Sequence, residues 1–119
     1  MSLSVQTWTD HVDPMKVEMR VQVTWDDYPQ GEVRARIVGP KCPGTTTIEV
    51  AYPLRVIEAK PGFCMLTVTI PEPSFWEPGI PFYYSLVIEL WDESEKVGHH
   101  LSTMGWVKRS ATIIANEPT

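Results

Sequence analysis

Ten residues of near-strict alternation, Phe82 to Trp91, come directly after a corner broken by two prolines, Phe75-Trp76-Glu77-Pro78-Gly79-Ile80-Pro81. Proline fixes φ and removes a backbone donor, so Pro78 and Pro81 exclude a regular helix and stiffen the entry to the alternating run. One set of alternate positions is Tyr84, Leu86, Ile88 and Leu90; the other is Tyr83, Ser85, Val87, Glu89 and Trp91. A period of two, rich in aromatic and β-branched types, predicts a strand with one buried and one mixed face. The first set is the predicted core.

The same period recurs along the chain. Val17, Met19, Val21, Val23 and Trp25 alternate with polar residues and stop at Asp26-Asp27-Tyr28-Pro29-Gln30-Gly31, a segment rich in turn formers. Val33, Ala35 and Ile37 continue the pattern to Gly39-Pro40. The short turn between these two runs predicts that they are antiparallel neighbours. A strand is expected over Thr46 to Tyr52, interrupted at Pro53 by an edge, a bulge or a change of sheet. Arg55 to Ala59 reads as a short strand, and Lys60-Pro61-Gly62 turns the chain into Phe63 to Ile70, with Cys64, Leu66, Val68 and Ile70 inward. Asp92 to Lys96 is a charged hairpin turn, with extended pieces at Val97 to Leu101, Met104 to Arg109 and Thr112 to Ala115. No window carries the spacing of an amphipathic helix.

Short strands at this spacing predict an all-β domain, a two-sheet antiparallel β-sandwich of immunoglobulin or fibronectin III type. The domain is expected over residues 16–115, after an irregular N-terminal segment 1–15 and before a tail 116–119. At 119 residues the chain is long enough to bury a core without metal or staples.

Charge removes one class of partner. The net charge is −5 and no window forms a basic stripe, which argues against nucleic acid. No apolar run approaches the roughly 20 residues a membrane helix needs, and no basic-then-apolar leader opens the sequence, so no membrane partner is expected. Two cysteines, Cys42 and Cys64, make no disulfide framework; one bridge or two free thiols remain open, with Cys64 placed as a buried thiol.

Residues able to do chemistry are present without a frame around them. His99 and His100 are adjacent on a strand, so they point to opposite faces and cannot chelate one ion, and His11 is distant in sequence. No cofactor or metal is expected. No nucleophile elbow surrounds Ser74, Ser85, Ser102 or Ser110. Asp26-Asp27 and Asp92-Glu93 are the only neighbouring acids worth weighing as a catalytic pair, and both sit in turns, where carboxylates are usually solvated. Asn116-Glu117 has the form of a barrel glycosidase's acid/base pair, but no barrel accompanies it. No catalytic residue is assigned. Of the five tryptophans, Trp8, Trp25, Trp76, Trp91 and Trp106, three (Trp25, Trp76 and Trp91) are the candidate aromatic contact surface.

Trp76-Glu77-Pro78, Pro81, Tyr83 to Leu90 and Gly105-Trp106-Val107 resemble, at a distance, the immunoglobulin-like sandwich domain of family 2 glycoside hydrolases, the family of β-galactosidases and β-glucuronidases. The family pattern is a Trp, a Pro, then Pro-x-Leu-Tyr-x-Leu and a final Gly-Phe-Arg. Tyr84, Leu86 and Gly105 match; Tyr83, Trp106 and Val107 depart from it. The resemblance implies a sandwich set between a sugar-binding jelly roll and a catalytic barrel, with the catalytic carboxylates on the barrel. It implies a non-catalytic accessory domain, spacing and packing against neighbouring domains of a parent protein. The alternative is a stand-alone module that binds a glycan or a protein.

Overall fold

The computed structural model describes residues 2–107 and the backbone of Ile113 and Ile114. The tail 116–119, with Asn116 and Glu117, lies outside the described residues. Nine strands are present and no helix among the described residues: β1 (Leu3–Asp13), β2 (Lys16–Trp25), β3 (Glu32–Lys41), β4 (Val50–Pro53), β5 (Arg55–Lys60), β6 (Phe63–Pro71), β7 (Tyr83–Asp92), β8 (Glu95–Trp106) and β9 (Ile113–Ile114). They form two antiparallel sheets ordered β1-β2-β6-β5 and β4-β3-β7-β8-β9. The first sheet has the order A-B-E-D and the second contains C, F and G, which gives the immunoglobulin-type sandwich.

The core lies between the inner faces. Val17, Met19, Val21 and Val23 from β2, and Cys64, Leu66, Val68 and Ile70 from β6, face Tyr84, Leu86, Ile88 and Leu90 from β7, all buried. These are the inward sets that alternation predicts. Tyr84 needs room made for it. A Cβ on Gly39 of the neighbouring β3 would stand 2.5 Å from its ring, so glycine is required by close approach.

Four expectations are corrected. Residues 1–15 are not irregular: β1 runs the length of β2, and the turn closes where Asp13 Oδ1 accepts the N–H groups of Met15 and Lys16 at 2.7 and 3.0 Å. Its half-buried positions, Leu3, Val5, Thr7 and Thr9, include two threonines, so the hydrophobic period is faint on this edge strand.

The strands β2 and β3 are not neighbours but lie in opposite sheets. The segment between them is an arch rather than a hairpin turn. Tyr28 takes a positive φ of 60°, its carbonyl accepts both the Trp25 indole N–H at 2.8 Å and the Gly31 N–H at 2.8 Å, and Gly62 is bonded to Pro29. The strand expected over Thr46 to Tyr52 shrinks to Val50–Pro53, leaving Ile48 90% exposed. Directly after Pro53 the chain changes sheets: β4 edges one sheet and β5 the other. Finally, the two pieces expected at Val97 to Leu101 and Met104 onward are one continuous strand, β8.

Candidate functional surface

Trp25, Trp76 and Trp91 do not form one surface. Trp25 is a core residue, 8% exposed, whose indole N–H is held inside the arch. Its spacing of two from Val23 places it on the inward face of β2. Trp76 precedes β7 and Trp91 lies near its far end, so most of the length of the strand, about 26 Å, separates them.

Trp76 sits in a corner fixed by backbone. Its N–H donates to the Trp106 carbonyl at 2.8 Å, and it bridges to Pro81. Glu77 and Ile80 exchange N–H···O=C bonds at 3.1 and 3.0 Å, closing a tight turn that leaves Ile80 exposed. A Cβ on Gly105 would lie 3.0 Å from the Phe82 carbonyl oxygen and 3.2 Å from the Trp76 Cβ. The corner therefore lies directly on Gly105, which accounts physically for a Trp and a Gly separated by nearly thirty residues of sequence.

At the far end of β7, Trp91 is half-buried in a charged cluster. The Arg34 guanidinium stacks 4.5 Å from its ring centre, and its indole N–H donates to Glu89 Oε1 at 3.1 Å. Lys96 and Arg36 approach the other carboxylate oxygen at 3.6 and 4.0 Å. The Trp91 hydrogen bond first, and the two cations after it, hold the Glu89 carboxyl below its ordinary range. Trp8 is the exposed tryptophan of the opposite sheet. Arg20 lies 5.3 Å from its ring and is itself paired with Asp10 at 2.8 and 3.0 Å.

Of the turn acids, Asp26 caps backbone. Asp26 Oδ1 accepts from Ser2 N at 2.7 Å and Asp27 N at 2.8 Å, and its carboxyl is lowered by these bonds, Ser2 first. Asp92 and Glu93 form the β7–β8 turn, with Glu93 at a positive φ of 57°. His99 is exposed, while His100 pairs in register with the buried Ile88 and so faces the inner side. His11 contacts Asp13. Among the described residues no three groups able to hold a metal converge. Both cysteines are free, Cys64 buried in β6 and Cys42 in the loop after β3. A cleft of about 240 Å³, lined by Trp25, Val33, Val56, Phe63 and Cys64 among others, opens between β5 and the start of β3. Nothing in the alternation pattern marks this cleft, because its lining is drawn from four strands, β2, β3, β5 and β6, far apart in sequence.

The sequence model of glycosyl hydrolases family 2 matches residues 2–105. The chain belongs to glycosyl hydrolase family 2. The match begins at residue 2 and so takes in the whole of β1. Among solved structures, the β-glucuronidase of Bifidobacterium dentium, complexed with coumarin-3-O-glucuronide, aligns with a TM-score of 0.58 and 21% identity. That alignment covers 86% of this chain and 17% of the other, so this family 2 chain spans a small part of that enzyme's length. At this identity the likeness is one of fold. A comparison with curated proteins returned no match.

Proposed function

We propose that this family 2 chain is a non-catalytic accessory module that spaces and packs against neighbouring domains of a parent protein. The reading is supported by what the family-matching residues do. Trp76 lies over Gly105, the Tyr84 hydroxyl accepts the Ser74 N–H at 2.9 Å, and Trp106 is fully buried. Each of them builds the sandwich, and none converges with a carboxylate on an open site. The exposed Ile80 beside Pro78 on a rigid corner is the natural apolar contact for a domain abutting that end.

Two measurements test it. Incubation with aryl β-glucuronides, β-galactosides and β-mannosides is expected to give no hydrolysis above blank, and the gene is expected to continue in frame into a barrel-sized segment. Turnover that persists through repurification overturns the reading. The alternative is a binding module centred on Trp91, whose ordered contacts with Arg34 and Glu89 present a fixed aromatic edge. Titration with a glycan panel followed by tryptophan fluorescence separates the two, since the accessory reading expects no response.

A further inference from the structure

The four sheet edges are not alike. β8 is covered in part by β9, and β1 is joined to β8 across the sandwich by the Trp106 indole bonded to Thr9. β4 is four residues long and contains Pro53, which has no N–H to offer. β1 and β5 are the two outer strands of the first sheet, and of the two β5 is the more exposed. Among the described residues β5 pairs only with β6, contains no proline, and has all six of its residues exposed. Two of its residues are exposed large apolar side chains, Val56 and Ile57 at 47 and 49%.

The strand also has an internal symmetry. Its register on β6 slips between Val56 and Glu58, so Ile57 is inserted. Arg55 opposes Thr67 and Glu58 opposes Met65, which lie two apart on the outward face of β6. The bulge thus brings Arg55 and Glu58, three residues apart, to the same face. Regular alternation would put them on opposite faces. Arg55 has no ion pair among the described residues, and Glu58 has only the exposed Lys60 at 3.2 Å.

We propose that the β5 edge is a self-association surface, taking β5 of a second copy in antiparallel pairing about a two-fold axis between Val56 and Ile57. In that register Val56 meets Ile57 of the second copy twice, and Arg55 faces Glu58 of the second copy twice. A shift by two residues in the pairing sum would set Arg55 against Lys60, like charges on the same outward face, which is unfavourable. The charges that discourage indiscriminate edge pairing therefore favour the Arg55–Glu58 register over the one that sets Arg55 against Lys60. A pairing this short lies below the area of a stable complex, so the dissociation constant falls at roughly 10 to 100 µM. The proposal does not depend on the accessory reading and is measured separately from it.

Sedimentation equilibrium of the full chain from about 5 µM to about 1 mM tests this range. The expected result is a monomer–dimer equilibrium. Arg55→Glu and Glu58→Arg are each expected to weaken it at least about tenfold by facing like charges. An equimolar mixture of the two variants, and the double variant carrying both changes, are expected to restore it. Unaltered circular-dichroism melting shows that the variants remain folded. A monomer throughout the range overturns the proposal, as does a dimer indifferent to both reversals or one not restored by the mixture. Capture of an unrelated extended segment on β5 without self-association also overturns it.

Discussion

Trp106 on β8 donates its indole N–H to the hydroxyl of Thr9 on β1 at 3.1 Å, joining the two sheets across 97 residues of sequence. The indole is fully buried, so this donor has no water to fall back on. Thr9→Val is expected to cost about 1 to 3 kcal/mol by leaving it unsatisfied. Trp106→Phe should cost about 2 to 4 kcal/mol through lost volume as well as the lost bond. The double variant should cost less than the sum by about 1 kcal/mol, because no donor is left stranded. Urea unfolding of the four proteins measures that coupling, and strict additivity would show the bond to be without energetic weight.

Tyr84 meets Gly39 in a contact that tolerates no methyl group. Its ring is 5.3 Å from that of Trp106 and its hydroxyl accepts the Ser74 N–H at 2.9 Å, so it is held at both ends. Gly39→Ala is expected to destabilise by about 1 to 3 kcal/mol, because the ring must leave its rotamer or β3 must shift. Tyr84→Phe should cost about 1 to 2 kcal/mol through the lost acceptor alone. Thermal melting ranks them, and Gly39→Ala in the Tyr84→Leu background should lose most of its own penalty as the clash is relieved.

Central strands were legible in sequence; of the edges β5 was placed, while β1 was missed and β4 was drawn too long. Each inward residue predicted on β2, β6 and β7 is buried, because those strands are covered on one face by the whole opposite sheet and the period of two survives intact. β1 and β8 are only partly covered. Thr7 and Thr9 on β1, and His100 and Ser102 on β8, occupy inward-facing positions where hydrophobic alternation would put aliphatics. The arch after Trp25 misled for another reason. A six-residue connection serves a hairpin or a crossing between sheets equally well, and its direction was set by Tyr28 turning to a positive φ, which no residue type there announces. The family corner was legible as a pattern. That Gly105 lies beneath Trp76 was not, since it is a contact between distant strands.

Stability should fall in two steps as pH is lowered. Burial first, and the neighbouring His99 second, hold His100 below its ordinary value of 6.5. The unfolded chain then binds more protons than the folded one below that value, so stability rises with pH toward neutrality and is lost as His100 is forced to charge. Glu89, Asp13 and Asp26 act lower. Their carboxyls are held below the ordinary 4.5 and 3.8, so their contribution is complete above those values and disappears as pH falls through the folded ones. His100→Gln is expected to remove the upper step and leave the lower. Melting temperatures from pH 7.5 to about 3 measure both, and an unchanged upper step would assign it elsewhere.

The two thiols should differ sharply in reactivity. Cys64 is 3% exposed on the inward face of β6, and burial pushes its thiol pKa up, so little thiolate forms and no reagent reaches it. Cys42 is half-exposed in the loop after β3, with only a weak 3.9 Å contact from its Sγ to the Pro43 carbonyl. A chromogenic disulfide reagent at pH 8 is therefore expected to label one thiol quickly and the second only at the rate of opening. Cys42→Ser should abolish the fast phase and Cys64→Ala the slow one. Denaturant should accelerate the slow phase steeply, because exposing Cys64 requires β5 and β6 to separate from the opposite sheet. Two fast thiols in the folded protein would mean that the β5 side of the sandwich opens readily, and the core assigned to β6 would have to be redrawn there.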